Sequence, residues 1–181
     1  MLEHLSILII RFIVNPIIPK LRTEYRYLMN GAKNIIFSCP AEEKNKSFGI
    51  SLKKFTALFP KKSVTILYPE LTLERCKTVP NYIDGYPQKI KYNLLHLIHS
   101  NNLSQLGNKK CDIFIDLDPH VSLLNLLLCR QLNPALRISF DKMESKHFYN
   151  IRYNYNSQKS YSENRTGLYT FLNSMINKKS K

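Results

Sequence analysis

The stretch Cys111-Asp-Ile-Phe-Ile-Asp-Leu-Asp118 decides the fold. Ile113, Phe114 and Ile115 follow one another with no polar alternation, the pattern of a strand buried on both faces and so of a parallel sheet covered by helices. Val121 to Leu132 is almost wholly apolar through Leu123-Leu-Asn-Leu-Leu-Leu128 and reads as a helix lying on that sheet. Leu136-Arg-Ile-Ser-Phe140 then reads as the next strand.

Working outward, Asn34-Ile-Ile-Phe-Ser-Cys39 is a first strand, closed by Pro40. Ser47 to Phe59 carries Phe48, Leu52, Phe55 and Phe59 at helical spacing and stops at Pro60. Ser63-Val-Thr-Ile-Leu-Tyr68 is a second strand, closed by Pro69. A short helix near Leu71 to Cys76, a third strand at Tyr82 to Gly85 and a helix from Tyr92 to Leu106 are expected next. After Asp141 the chain is polar and Tyr-rich to Ser162, and a last helix runs from Glu163 to Ile176. The alternation predicts one Rossmann-like α/β domain over residues 31–177, with a parallel sheet of about five strands and helices on both faces. A length of 181 residues suits one core, and 44% hydrophobic with 22% charged residues excludes a disordered chain.

Residues 1–30 form a separate expectation, an amphipathic helical arm. Leu5, Leu8, Ile9, Phe12 and Ile13 fall on one side and His4, Arg11, Asn15, Arg22 and Arg26 on another, with a break at Pro16. The apolar run falls short of the about 20 residues that span a bilayer, and no signal-peptide cleavage pattern follows it. The arm has two readings: packing on protein, or lying on an anionic membrane surface through residues 5–26. Residues 178–181 are a basic tail.

The 27 Lys and Arg against 13 Asp and Glu give a net charge of +14, which favours anionic partners without choosing among them. The other reading is that codon bias toward Lys produces part of this excess without any function. Cys39, Cys76, Cys111 and Cys129 lack metal-ligand spacing and are expected to be reduced, packed thiols. No metal and no cofactor is expected: the first loop, Pro40-Ala-Glu-Glu-Lys-Asn-Lys-Ser47, carries neither a dinucleotide-binding nor a Walker motif.

Ligands of open α/β sheets bind beyond the carboxyl ends of the strands. That rule selects residues 41–47, 69–70, 86–87, 116–120 and 141–147. Glu42 and Glu43 read either as a base or as partners of a helix dipole. In Asp116-Leu-Asp-Pro-His120, two carboxylates and an imidazole leave one strand end and suit a sugar hydroxyl or a cation. The bland reading has Asp118 capping a helix that starts at Pro119. His96 and His99 read as surface residues. Phe148-Tyr-Asn-Ile-Arg-Tyr-Asn-Tyr155 mixes aromatics with Arg152 and suits either base stacking or an edge strand, and nucleic acid is not the expected partner.

The element order, with Cys111-Asp-Ile-Phe-Ile-Asp-Leu117, the apolar helix, Leu136-Arg-Ile-Ser-Phe140 and His147-Phe-Tyr-Asn150, resembles the N-terminal domain of the family 9 glycosyltransferases, the ADP-heptose:lipopolysaccharide heptosyltransferases. The resemblance covers residues 33–155, with Ser139 where a glycine is usual. It implies a role in cell-envelope sugar metabolism in the cytoplasm, peripheral to the inner membrane. Glu43 or Glu42 would stand for the family's base, and Ser47, Asp116, Asp118 and His120 would line the substrate side. In that family a second Rossmann-like domain supplies most of the nucleotide-sugar site. The expectation is therefore a chain inactive alone or dependent on a nucleotide-sugar-binding domain or second subunit. The alternative is a non-catalytic membrane-surface or protein-interaction module that keeps only the fold.

Overall fold

The structure is a computed structural model that describes residues 22–40, 47–60, 62–69, 83–88, 110–142 and 148–177. Its elements run α1 (Arg22–Gly31), β1 (Asn34–Ser38), α2 (Ser47–Ala57), β2 (Ser63–Pro69), β3 (Ile83–Gln88), β4 (Ile113–Asp116), α3 (Leu123–Leu132), β5 (Leu136–Phe140), β6 (Ile151–Tyr153) and α4 (Tyr161–Asn177). The strands form one sheet in the order β3-β2-β1-β4-β5-β6, and every pairing is parallel. The five expected strands are present, and β6 adds a sixth from within the Tyr-rich segment. The fold is a Rossmann-like α/β domain.

Side chains alternate across a strand, so each strand feeds two cores. Ile35, Phe37, Val64, Ile66, Ile113, Ile115 and Ile138 face one side, where α1, α2 and α4 bring Met29, Leu52, Phe55, Leu168 and Leu172. Ile36, Leu67 and Phe114 face the other, under Leu124, Leu126, Leu128 and Cys129 of α3. Phe114 and Ile115 are both fully buried, which is what the unbroken apolar run required.

Helix α1 is the described part of the expected arm. Met29 is buried in the first core, and Arg26, expected on the polar side, is half-buried. Residues 1–21 lie outside the described residues, as do the two helices expected between residues 71 and 106 and the basic tail. Two proline boundaries move. Pro69 is the last residue of β2, and Pro87 lies inside β3, paired with Tyr68. An edge strand tolerates proline because one row of its amides has no strand to bond.

Two anchors fix the ends of the fold. Asp112, just before β4, accepts the Lys33 and Asn34 backbone N–H groups at 2.8 Å each, which locks the start of β1 to β4. Ser160-Tyr-Ser-Glu163 is a capping box: Glu163 accepts the Ser160 backbone N–H at 2.8 Å, and Ser160 Oγ accepts the Glu163 N–H at 3.3 Å. Helix α4 therefore starts two residues earlier than the periodicity predicts.

Partial burial of Asp112 raises its carboxyl pKa, but the Lys33 and Asn34 N–H groups outweigh that and hold it below the ordinary value. A depressed pKa gives stability that is present above the unfolded value, about 3.9, and lost as pH falls through the folded value. Asp112→Asn is expected to lower stability by about 1 kcal/mol at neutral pH, the contact being partly solvated. The gap to the native chain should close below about pH 4 in urea titrations. Gly167 of α4 gives a second expectation. A Cβ there would run into the Tyr153 hydroxyl and stand 3.0 Å from its Cζ. Gly167→Ala should therefore destabilise, although the same change in an open helix gains about 1 kcal/mol. Adding Tyr153→Phe should recover part of the loss in thermal melts.

Candidate functional site

The strand order reverses direction between β1 and β4. From β1 the chain builds outward through β2 and β3, and from β4 outward through β5 and β6. Connections leaving the carboxyl ends of β1 and β4 diverge to opposite faces, which opens a crevice at that point. Ser38 is the last residue of β1, Asp116 the last of β4, and the two are register partners; Asp116 in turn pairs with Ser139 of β5. All three are buried on the α3 side.

Asp116 is fully buried, and its carboxylate accepts four hydrogen bonds from inside the domain. Asn125 Nδ2 donates to Oδ1 at 2.8 Å and the Asp118 backbone N–H at 2.9 Å. Lys142 Nζ at 2.8 Å and the Tyr149 hydroxyl at 2.5 Å donate to Oδ2. Ser38 Oγ donates to Asn125 Oδ1 at 2.6 Å, so the network reaches β1. The Lys142 side chain is 3% exposed and its ammonium lies 5.7 Å from the Tyr149 ring centre. Burial, with the Asp116 charge beside it, pushes the Tyr149 hydroxyl well above its ordinary pKa, so it stays a proton donor. A carboxylate this thoroughly satisfied is a hub of the scaffold.

Asp118 differs. It is partly exposed just beyond the carboxyl end of β4, and its Oδ1 accepts the His120 backbone N–H at 2.8 Å in an Asx turn. Helix α3 begins at Leu123, and Ser122 caps it by accepting the Asn125 N–H at 3.4 Å. The helix-cap reading of Asp118 is thus corrected: the Pro119 ring starts a turn, four residues before the helix. Desolvation, reinforced by the Asp116 charge, raises the Asp118 carboxyl pKa. The Tyr161 hydroxyl of α4 donates to the Leu117 carbonyl at 2.5 Å and pins the loop between the two carboxylates. His120 is exposed beside them.

Of the residues expected at the site, Asp116, Asp118 and His120 come together within one turn. Glu42 and Glu43 lie outside the described residues, and Ser47 opens α2 with its side chain outside them as well. Tyr149, Asn125 and Ser38 were not expected there, and Lys142 fell in a selected loop, 141–147, without being singled out. Asn125 carried a signal, as the one polar residue in Leu123 to Leu128. Phe148 and Tyr149 are buried, and Tyr153 and Tyr155 pack edge-on against Phe140 at centroid distances of 6.4 and 5.5 Å. Of the two readings of this segment, the edge strand is the one present: Ile151–Tyr153 forms β6 at the edge of the sheet.

Burial pushes the Cys111 thiol up to about 12 and the Cys129 thiol higher still, so neither is a nucleophile at neutral pH. Among the described residues, no group of three His, Cys, Asp or Glu side chains has the arrangement of a metal site. Among the same residues, no helix is long and apolar enough to cross a membrane.

The hub sets a graded expectation. Asp116→Ala leaves the Lys142 ammonium buried without its carboxylate and should cost about 3–5 kcal/mol, whereas Tyr149→Phe removes one donor and should cost about 1–2 kcal/mol. Equilibrium denaturation of both variants checks the ranking.

Compared with models of known families, with curated proteins and with solved structures, this chain matches none.

Proposed function

We propose that this domain is the acceptor-binding half of a sugar transferase of the heptosyltransferase type, with Asp118 facing the acceptor hydroxyl. The observation that carries the reading is the place of Asp118. It stands at the switch point of a sheet ordered β3-β2-β1-β4-β5-β6, partly exposed, with a carboxyl pKa raised first by desolvation and then by Asp116. A carboxylate of raised pKa accepts a proton from a hydroxyl more readily than an ordinary one. In the transfer, the hydroxyl proton passes to Asp118 and the acceptor oxygen bonds to the anomeric carbon. The bond from that carbon to the nucleotide phosphate breaks, and the diphosphate leaves with the electron pair.

The donor nucleotide sugar needs groups that hold its pyrophosphate. Among the described residues, the crevice offers a carboxylate and an imidazole and no glycine-rich cradle, so a partner domain or second subunit supplies the donor half. A lipid-linked acceptor would bring the protein to the cytoplasmic face of an anionic membrane, a setting that suits a chain of net charge +14.

Calorimetric titration of the full chain with a short oligosaccharide of hexose and heptose tests the reading. Asp118→Asn and His120→Ala should each weaken binding about tenfold, or 1.4 kcal/mol. Asp118→Asn should also raise stability at neutral pH. A carboxyl whose folded pKa exceeds its unfolded one loses stability as pH rises through that interval, and the amide escapes the loss. Oligosaccharide binding that is absent, or equal in native chain and Asp118→Asn, would leave only the non-catalytic module.

A further inference from the structure

We infer a phosphate-binding site at the opposite edge of the sheet, where β1 and β2 begin. A cavity of about 220 Å³ opens there, lined by Asn34, Ile35, Ile36, Ser63, Thr65 and Lys110. Asn34 pairs with Ser63 and Ile36 with Thr65, so these four side chains share one face of two adjacent strands. Lys110 enters from the segment leading into β4.

Three features give the cavity its chemistry. Thr65 is only 5% exposed and lines the cavity. Its hydroxyl can donate one hydrogen bond there and accept others. Ser63 adds a second hydroxyl and Asn34 an amide, one of whose two N–H groups is engaged with Asp112 at 3.2 Å. Lys110, exposed, brings the one charged side chain among the described lining residues. An ammonium above neutral donors on a fixed backbone is a complement for a phosphate monoester, which offers several acceptor oxygens and about −1.5 to −2 charge.

The surroundings favour an anion. Lys33 and Lys62 stand immediately before β1 and β2, and the Lys62 ammonium lies on the Asn30 carbonyl at 2.9 Å. Two acids are near: Asp112, whose Oδ2 already accepts the Lys33 and Asn34 N–H groups, and Asp84 of β3, the register partner of Thr65. Against them stand Lys33, Lys62 and Lys110, and the cavity lies at the end of the strands away from Asp118.

Thr65→Val separates ligand binding from folding, because valine keeps the shape and strand preference of threonine and removes only the hydroxyl. The full chain is titrated with inorganic phosphate and followed by amide chemical shifts. In a second arm it is mixed with vesicles of neutral lipid containing phosphatidate. The expected result is saturable shifts at Asn34, Thr65 and Lys110, unchanged in Asp118→Asn and weakened about tenfold in both Thr65→Val and Lys110→Gln, whose melting temperatures are preserved. Saturation by free phosphate identifies a soluble phosphorylated ligand. Vesicle binding without it, and with the same dependence on Thr65 and Lys110, identifies a lipid headgroup. No saturable response in either arm, or a response indifferent to Thr65→Val and Lys110→Gln, overturns the proposal. Because Asp118→Asn is silent here and Thr65→Val is silent toward oligosaccharide, this site and the proposed acceptor site fail independently.

Discussion

A negative charge fully withdrawn from water must be met on all sides, and the burial of Asp116 imposes that requirement on the whole α3 side of the sheet. Its four donors come from α3, from the turn after β4, from the segment after β5 and from the approach to β6. Through Asn125 the same network fixes Ser38 at the end of β1. No element among these can shift without stranding a donor or the carboxylate itself. The carboxyl edge of the sheet is therefore held rigidly by polar contacts, while the two faces are held by ordinary apolar packing.

That rigidity has a use for the residue two positions on. Asp118 receives no comparable set of donors: its Oδ1 takes the His120 N–H, and the turn keeps it partly in solvent. Two carboxylates separated by one leucine thus occupy opposite regimes. The first is saturated and structural; desolvation, reinforced by the charge of the first, raises the proton affinity of the second. Pinning of the Leu117 carbonyl by Tyr161 prevents the pair from relaxing apart. A position that costs stability while its neighbour supplies it is the pattern of a functional group on a scaffold.

The sheet was legible in the sequence because its signals are local. Unbroken apolar runs such as Ile113 to Ile115 cannot be solvent-facing, and β5 occupies the very residues its pattern marked, Leu136 to Phe140. Asp116, Asp118 and His120 were legible as a cluster because one turn holds them. Their division of labour was not, since it depends on Lys142 and Tyr149, respectively 26 and 33 residues away. Nothing in the sequence around a lone lysine after a strand says that its ammonium will be buried. The Tyr-rich stretch left two readings open for a related reason: aromatic content reports area to be buried and not what buries it, and here the edge strand β6 forms while Phe140 packs against Tyr153, Tyr155 and Tyr161. Prolines at strand ends misled in the other direction. Pro87 was compatible with a strand only because β3 lies at the edge of the sheet, a fact of topology.

The two ends of a parallel sheet are chemically unlike, and this one divides its charges accordingly. Helices that cross back antiparallel to the strands present their C-termini, with partial negative charge, at the edge where the strands begin. Lys33, Lys62 and Lys110 gather at that edge, and Lys62 answers the α1 carboxyl end directly. Among the described residues, the carboxyl edge carries Asp116, Asp118 and Asp141, with Lys142 spent internally and Arg152 paired to Asp141 at 2.9 Å. An overall charge of +14 therefore does not describe either edge. Among the described residues, one end presents the Asp118 carboxylate and the other the Lys110 ammonium. The polarity follows from the handed, parallel connection of strands and helices that the run Ile113 to Ile115 first required.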